Sequence, residues 1–401
     1  MSKKNKKIYL DYAATTPVDK KVLHAMMPYF SLKFGNPSSI HFFGQEAIVA
    51  IDQARGKIAK ILNCDFSEII FTGSATESNN LAIKGIISSA AITSNCVLLR
   101  QLHFITTNIE HESVHEPLRE LEKAGHEVTY LKVDKDGFIN IADLEKNIKN
   151  NTILVSVVYA NNEIGTVQPI KEIGRVLEKI NKKRKENGLP RIYFHTDAVQ
   201  ALQFLECRPD WLKVDLITFS GHKIYGPKGI GGLYVRKNTP LLPIISGGGQ
   251  EFGLRSGTEN VPYIVGMAWA VELAIKNREK RSKYILDLRN KLWKNIIKYN
   301  KGAELNSSPN SCLPNNLNIR FPGLSNEMLI VALDRAGVAI SAGSACSSRA
   351  TTASHVLIAI GLTEKQAKES VRITLGKDTT KKEIKKASDI VNKTIKRLYA
   401  I

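Results

Sequence analysis

Leu216-Ile217-Thr218-Phe219-Ser220-Gly221-His222-Lys223 is five strand-forming residues followed by a glycine, a histidine and a lysine. The run predicts a buried strand that ends at a polar turn, which continues through Ile224-Tyr225-Gly226-Pro227-Lys228-Gly229. The same texture recurs upstream at Glu68–Thr72, Phe104–Thr107, Ile153–Val158 and Ile192–Thr196. Stretches that mix charged and apolar residues, such as Ile170–Asn187, read as helices between them. Strand–helix alternation of this kind predicts an α/β fold around a mostly parallel sheet, buried on both faces. After Pro262 the texture changes. Ile264–Lys298 reads as one long helix, Leu317–Phe321 and Val371–Leu375 as strands, and Glu327–Ala336 and Lys381–Leu398 as helices. The expected division is a large domain over 16–262 and a smaller α+β domain built from 1–15 and 263–401.

A length of 401 residues, 43% of them apolar, suits two packed lobes and excludes wholesale disorder. No apolar run reaches the roughly 20 residues of a membrane helix, so no membrane contact is expected. The basic start, Met1 to Lys7, leads into Ile8-Tyr9-Leu10-Asp11 and not into a long apolar segment. The expected location is therefore cytoplasmic. Five cysteines, Cys64, Cys96, Cys207, Cys312 and Cys346, are widely spaced, and no Cys-x-x-Cys pair occurs. Neither a disulfide framework nor a metal site is expected. The net charge of +19 is spread over the N-terminus, Lys182-Lys183-Arg184-Lys185 and the tail after Lys377. Without an RNA-binding signature it reads as a lysine-rich solvated surface, and no direct nucleic-acid binding is expected.

Four segments carry chemistry. Gly73-Ser74-Ala75-Thr76-Glu77-Ser78-Asn79-Asn80 follows a strand and opens a helix. Small residues and free helix-start amides there suit a phosphate, although alone the segment is a good N-cap. Lys223 directly follows a strand beside glycines and His222. A lysine in a partly desolvated, cationic pocket loses its proton more readily and becomes able to form a Schiff base. Asp197, in His195-Thr196-Asp197-Ala198-Val199-Gln200, is a carboxylate at a strand end. It suits a protonated pyridine nitrogen, with Gln200 one turn on. Asn108-Ile109-Glu110-His111 places an imidazole after a strand, where it suits ring stacking and proton transfer.

These blocks, in this order, resemble the cysteine desulfurases of the class V aminotransferase group. The resemblance also rests on Leu10-Asp11-Tyr12-Ala13-Ala14-Thr15-Thr16-Pro17, Gly35-Asn36-Pro37-Ser38-Ser39-Ile40-His41, Asn161-Asn162-Glu163-Ile164-Gly165, Arg255-Ser256-Gly257-Thr258, Ser341-Ala342-Gly343-Ser344-Ala345-Cys346 and Val371-Arg372. It implies a fold type I pyridoxal-phosphate transferase. Lys223 would hold pyridoxal 5'-phosphate. Ala75, Thr76, Ser220 and His222 would bind its phosphate, with Thr258 from the second subunit of a homodimer. His111 would stack on the ring, Asp197 would face its nitrogen, and Gln200 and Asn162 would approach its hydroxyl. Arg372 would clamp the carboxylate of the substrate, L-cysteine, assisted by Asn36 and Asn162. Cys346, in a Gly- and Ser-rich stretch, would be the nucleophile that takes the sulfur as a persulfide. His355, nine positions further on, resembles the long-loop subgroup. The implied acceptors are an iron–sulfur scaffold or a tRNA-thiolation protein.

Two other readings stay open. A selenocysteine lyase shares the chemistry of Lys223, and a basic RNA-associated or sulfur-carrier scaffold would keep the fold alone. One departure from the family pattern is Ser88–Gln101, with Cys96-Val97-Leu98-Leu99, which is more apolar than the usual connection.

Overall fold

The computed structural model describes residues 7–93, 101–308, 310–343 and 353–400. Twelve strands occur among them. They are β1 (Ile8–Tyr9), β2 (Ile69–Thr72), β3 (His103–Thr107), β4 (Glu127–Leu131), β5 (Thr152–Ser156), β6 (Tyr193–Asp197), β7 (Leu216–Ser220), β8 (Gly231–Val235), β9 (Glu304–Leu305), β10 (Asn316–Arg320), β11 (Val338–Ala339) and β12 (Ser370–Thr374). Seven form one sheet in the order β2-β8-β7-β6-β5-β3-β4. The pairs from β7 through β4 are parallel, and β8 runs antiparallel to both β2 and β7. The expected fold class, an α/β architecture with a mostly parallel sheet, is the one observed.

Alternate residues on each strand serve opposite faces. Ile105, Val155 and Ile217 pack into the larger hydrophobic core, while Phe104, Leu154 and Leu216 pack into a second core on the other side. Helices Phe42–Leu62, Ile170–Glu186 and Val261–Ile275 contribute to the first core, and helices Ala75–Thr93 and Glu112–Lys123 to the second. Burial on both faces is why these strands read as unbroken apolar runs.

A three-stranded antiparallel sheet, β12-β10-β9, lies in the C-terminal part. β1 pairs in parallel with β11, so the N-terminal strand joins that part. The long helix expected over Ile264–Lys298 is instead two helices, Val261–Ile275 and Arg278–Tyr299. Between them Lys276 is extended at ψ 121, and Asn277 takes the left-handed conformation at φ 60. Asparagine tolerates that region better than most residues, so the chain turns there and the helix restarts.

His195 on β6 lies between its neighbours in the sheet. Nδ1 is 2.8 Å from Ser156 Oγ on β5, and Nε2 is 3.1 Å from Thr218 Oγ1 on β7. Burial pushes its imidazole down to about 3. In the unfolded chain it takes up a proton below about 6.5. Between those values the unfolded state binds more protons. Stability from this group is therefore complete above about pH 6.5 and is lost as the pH falls toward 3, at no more than about 1.4 kcal/mol per pH unit. In denaturant titrations the stability gap between wild type and His195→Gln should narrow from pH 7 to pH 5. A constant gap would mean that His195 takes up its proton while folded.

Candidate active site

The parallel strands deliver their C-terminal ends to one crevice, where open α/β sheets bind ligands. Lys223 and Ser220 come from the end of β7, Asp197 and Gln200 from β6, Val158 and Asn162 from β5, and His111 from β3. The turn after β2 adds Ser74, Ala75 and Thr76. With His222 and Arg372 they line a cavity of about 500 Å3. Ten residues singled out in the sequence meet there: Ala75, Thr76, His111, Asn162, Asp197, Gln200, Ser220, His222, Lys223 and Arg372.

Lys223 Nζ donates to the carbonyls of Ala13 (2.7 Å) and Ala14 (2.8 Å). Gln200 Nε2 donates to the same Ala13 carbonyl at 3.0 Å. The N-terminal segment thus closes one wall. It is tied down by Thr16, whose hydroxyl donates to the His222 carbonyl and accepts from the Tyr225 amide. His222 Nδ1 is 3.1 Å from the Thr15 hydroxyl. Burial, reinforced by the charges of Lys223 and Lys228, pushes its imidazole down to about 4, so it is neutral at pH 7.

The turn at Ser74–Thr76 opens the 19-residue helix Ala75–Thr93, whose first amides have no partner within the helix. Gly231 on β8 passes so close that a Cβ there would sit 2.4 Å from the Ser74 carbonyl carbon. The turn is therefore a tight cradle of backbone donors beside Ser220, His222 and Lys228. That donor set fits a phosphate. At the other end Asp197 is buried and holds a carboxylate, which fits a protonated ring nitrogen. Its Oδ1 accepts from the Val199 amide (2.9 Å) and Oδ2 from Asn79 Nδ2 (2.8 Å).

His111 caps helix Glu112–Lys123, its Nδ1 accepting from the Ser113 amide at 3.1 Å. Beside it, burial pushes the carboxyl of Glu110 up to about 8. Its Oε1 accepts from the Val158 amide and the Thr107 hydroxyl, both at 2.7 Å, joining the ends of β3 and β5. Arg372 on β12 is 2% exposed. It donates to the carbonyls of Asn162 (3.0 Å) and Gly343 (3.2 Å) and to Asp11 Oδ1 (2.8 Å).

Three expected residues stand apart. Asn36 and Thr258 are exposed and do not line this cavity. Thr258 follows Arg255, which donates to Glu77 Oε1 at 2.9 Å, and Glu251, which forms a buried two-point ion pair with Arg55 at 2.7 Å on each arm. The third, Cys346, lies outside the described residues, as does Cys96 in the departing Ser88–Gln101 stretch. The flanks of the Cys346 segment are placed. Gly343 meets Arg372, and Ser354 donates to Glu163 Oε2 at 2.6 Å. Burial pushes the Glu163 carboxyl up, against the Ser354 bond and the nearby His355, Arg372 and His111. His355 Nε2 donates to the Glu110 carbonyl at 2.9 Å.

Sequence reasoning assigned no role to Asp11, Asn79, Ser113 or Glu163. Three of them sit inside or at the edge of quoted segments. Ser113, two residues after His111, lies in the first turn of the helix that His111 caps.

The family model for aminotransferase class-V matches residues 8–387. The chain belongs to that family. Cysteine desulfurase IscS of Dictyoglomus turgidum is 44% identical to this class-V chain over 396 residues, covering 99% of it and 96% of the relative. Among solved structures a NifS-like protein superposes with a TM-score of 0.88 at 37% identity, covering 98% of this chain and 100% of that one. A structure titled SspA in complex with cysteine gives 0.76 at 40% identity, covering 92% and 98%. The architecture is accordingly the fold type I transferase fold of the NifS-like class-V enzymes.

Proposed function

We propose that the protein is a pyridoxal-phosphate-dependent cysteine desulfurase. It converts L-cysteine to L-alanine and passes the sulfur through a persulfide on Cys346. The observation that carries this reading is the single cavity joining Lys223, the Asp197 carboxylate, the backbone cradle at Ser74–Thr76 and the Arg372 guanidinium. The cysteine desulfurase relatives and the cysteine complex of SspA support it.

Pyridoxal 5'-phosphate, when bound, supplies an electron sink that weakens the substrate's bonds. Lys223 would hold it, Ala75, Thr76, Ser220 and His222 its phosphate, Asp197 its ring nitrogen, and Asn162 and Gln200 its hydroxyl side. Arg372, with Asn162, orients the substrate carboxylate, and Asn36, which stands outside the cavity, would assist only by moving toward it. The Cys346 thiolate attacks the substrate sulfur. An S–S bond forms and the Cβ–S bond breaks. Its electron pair stays with the carbon skeleton, which takes up a proton and leaves as alanine. The balance is L-cysteine plus a thiol giving L-alanine plus a persulfide.

A homodimer explains why Thr258 is exposed, since it would serve the phosphate site of the other subunit. The apolar surface of Leu32, Phe34, Ile40 and Phe42 is 66 to 94% exposed and calls for cover. The division at 16–262 against 1–15 with 263–401 fits the strand pairing. Among the described residues no helix is long and apolar enough to cross a membrane, and a cytoplasmic site of action suits a donor to iron–sulfur scaffolds or tRNA-thiolation proteins.

Incubation of the cofactor-loaded protein with L-cysteine and dithiothreitol should release alanine and sulfide in equal amounts. A loaded protein that yields neither overturns the assignment.

A further inference from the structure

A chain of hydrogen bonds in the cavity wall links Asp197 to His111. Asn79 is wholly buried, and its Nδ2 donates twice, to Asp197 Oδ2 and to Ser113 Oγ, each at 2.8 Å. Ser113 Oγ lies 2.8 Å from His111 Nδ1, and the Ser113 amide donates to the same Nδ1 at 3.1 Å. The directions follow from chemistry. A carboxylate offers only lone pairs, so the amide group of Asn79 must turn its NH2 toward Asp197. Its second N–H then occupies one lone pair of Ser113 Oγ. The Ser113 amide hydrogen is fixed on His111 Nδ1, so that nitrogen is an acceptor and the serine hydroxyl meets it as a second donor. An Nδ1 that receives both an N–H and an O–H bears no proton of its own.

We propose that Asn79 and Ser113 are positioning residues that hold His111 as the neutral tautomer with its proton on Nε2. The Nδ1–H forms would set a proton against the fixed N–H of the Ser113 amide and would require the serine hydroxyl to turn away. In the resting enzyme His111 therefore presents an oriented Nε2–H hydrogen-bond donor at the cavity wall. A neutral imidazole at the start of a helix suits that part. The consequence for catalysis rests on the placement of His111 against the cofactor ring. The tautomer itself does not, and it is measured without turnover.

The test is nitrogen NMR of the cofactor-loaded enzyme carrying 15N-imidazole histidine, with the His111 signals identified by their loss in His111→Gln. The wild type should show Nδ1 at a pyridine-type shift and Nε2 at a pyrrole-type shift. Ser113→Ala should move the pair toward averaged values, and Ser113→Thr, which keeps the hydroxyl, should keep the wild-type pair. Asn79→Leu should give a spectrum between those of wild type and Ser113→Ala. In turnover Ser113→Ala should lower kcat about ten- to a hundredfold through misorientation while leaving KM for L-cysteine unchanged. A wild-type His111 protonated on Nδ1, or on both nitrogens, overturns the proposal even if no variant folds. So does a Ser113→Ala spectrum identical to wild type. Failure of the desulfurase reading would show instead as absent alanine, with the tautomer intact.

Discussion

Cys346→Ala should bind pyridoxal phosphate and L-cysteine as the wild type does and transfer no sulfur, a loss of at least about a thousandfold for removal of a nucleophile. The physical reason is that the described thiols cannot take over. Burial pushes Cys207 up to about 12, and it is buried among core side chains. Burial also pushes Cys64 up to about 12, with the nearby carboxylates of Glu68, Asp65 and Asp210 adding to the effect. Cys312 is raised by burial despite the Arg289 guanidinium 3.0 Å away. Thiols held protonated at neutral pH are poor nucleophiles, and none of the three lines the cavity. One equivalent of L-cysteine followed by alkylation and peptide mass analysis should therefore place the extra sulfur on Cys346 alone. Persulfide on another cysteine, or undiminished transfer by Cys346→Ala, would remove Cys346 from the mechanism.

The sheet was legible because its strands are short apolar runs that end in polar turns. The five strands read for this sheet coincide with β2, β3, β5, β6 and β7 to within a few residues. β4 and β8 were not read. Glu127–Leu131 is half-buried at the sheet edge, so its residues alternate weakly. Gly231-Gly232-Leu233-Tyr234-Val235 begins with two glycines that read as the end of a turn. The glycine at 231 is needed because the Ser74 backbone leaves no room for a Cβ, a contact between segments more than 150 positions apart. The same limit applies to the site. Residues that follow a strand locally, such as Asp197 and Lys223, announce themselves by position. Asp11 does not, because its partner Arg372 lies 361 positions away and the two meet only when β1 joins the C-terminal part. Asn79 is likewise silent in sequence, since its work depends on Asp197 and Ser113 arriving from two other strands.

Arg372→Lys should raise KM for L-cysteine about a hundredfold while the protein stays folded. A guanidinium offers a carboxylate two parallel donors, and an ammonium offers only a point charge. Arg372 already spends Nη1 on the Asn162 and Gly343 carbonyls and Nη2 on Asp11. Its Nε is buried and has no partner among the described residues. A buried N–H without an acceptor is costly, and a carboxylate entering the cavity would supply one. In Arg372→Lys the Asp11 carboxylate keeps a cationic neighbour, so the substrate effect is separated from the structural one. Arg372→Ala removes both. It leaves Asp11 unpaired in a largely buried setting and should cost about 3–5 kcal/mol of stability as well as substrate binding. Denaturant midpoints and steady-state kinetics on the two variants distinguish the contributions. If Arg372→Lys kept the wild-type KM, the guanidinium would be only a strut between Asp11 and β12, and recognition of the substrate carboxylate would belong to another group in the cavity.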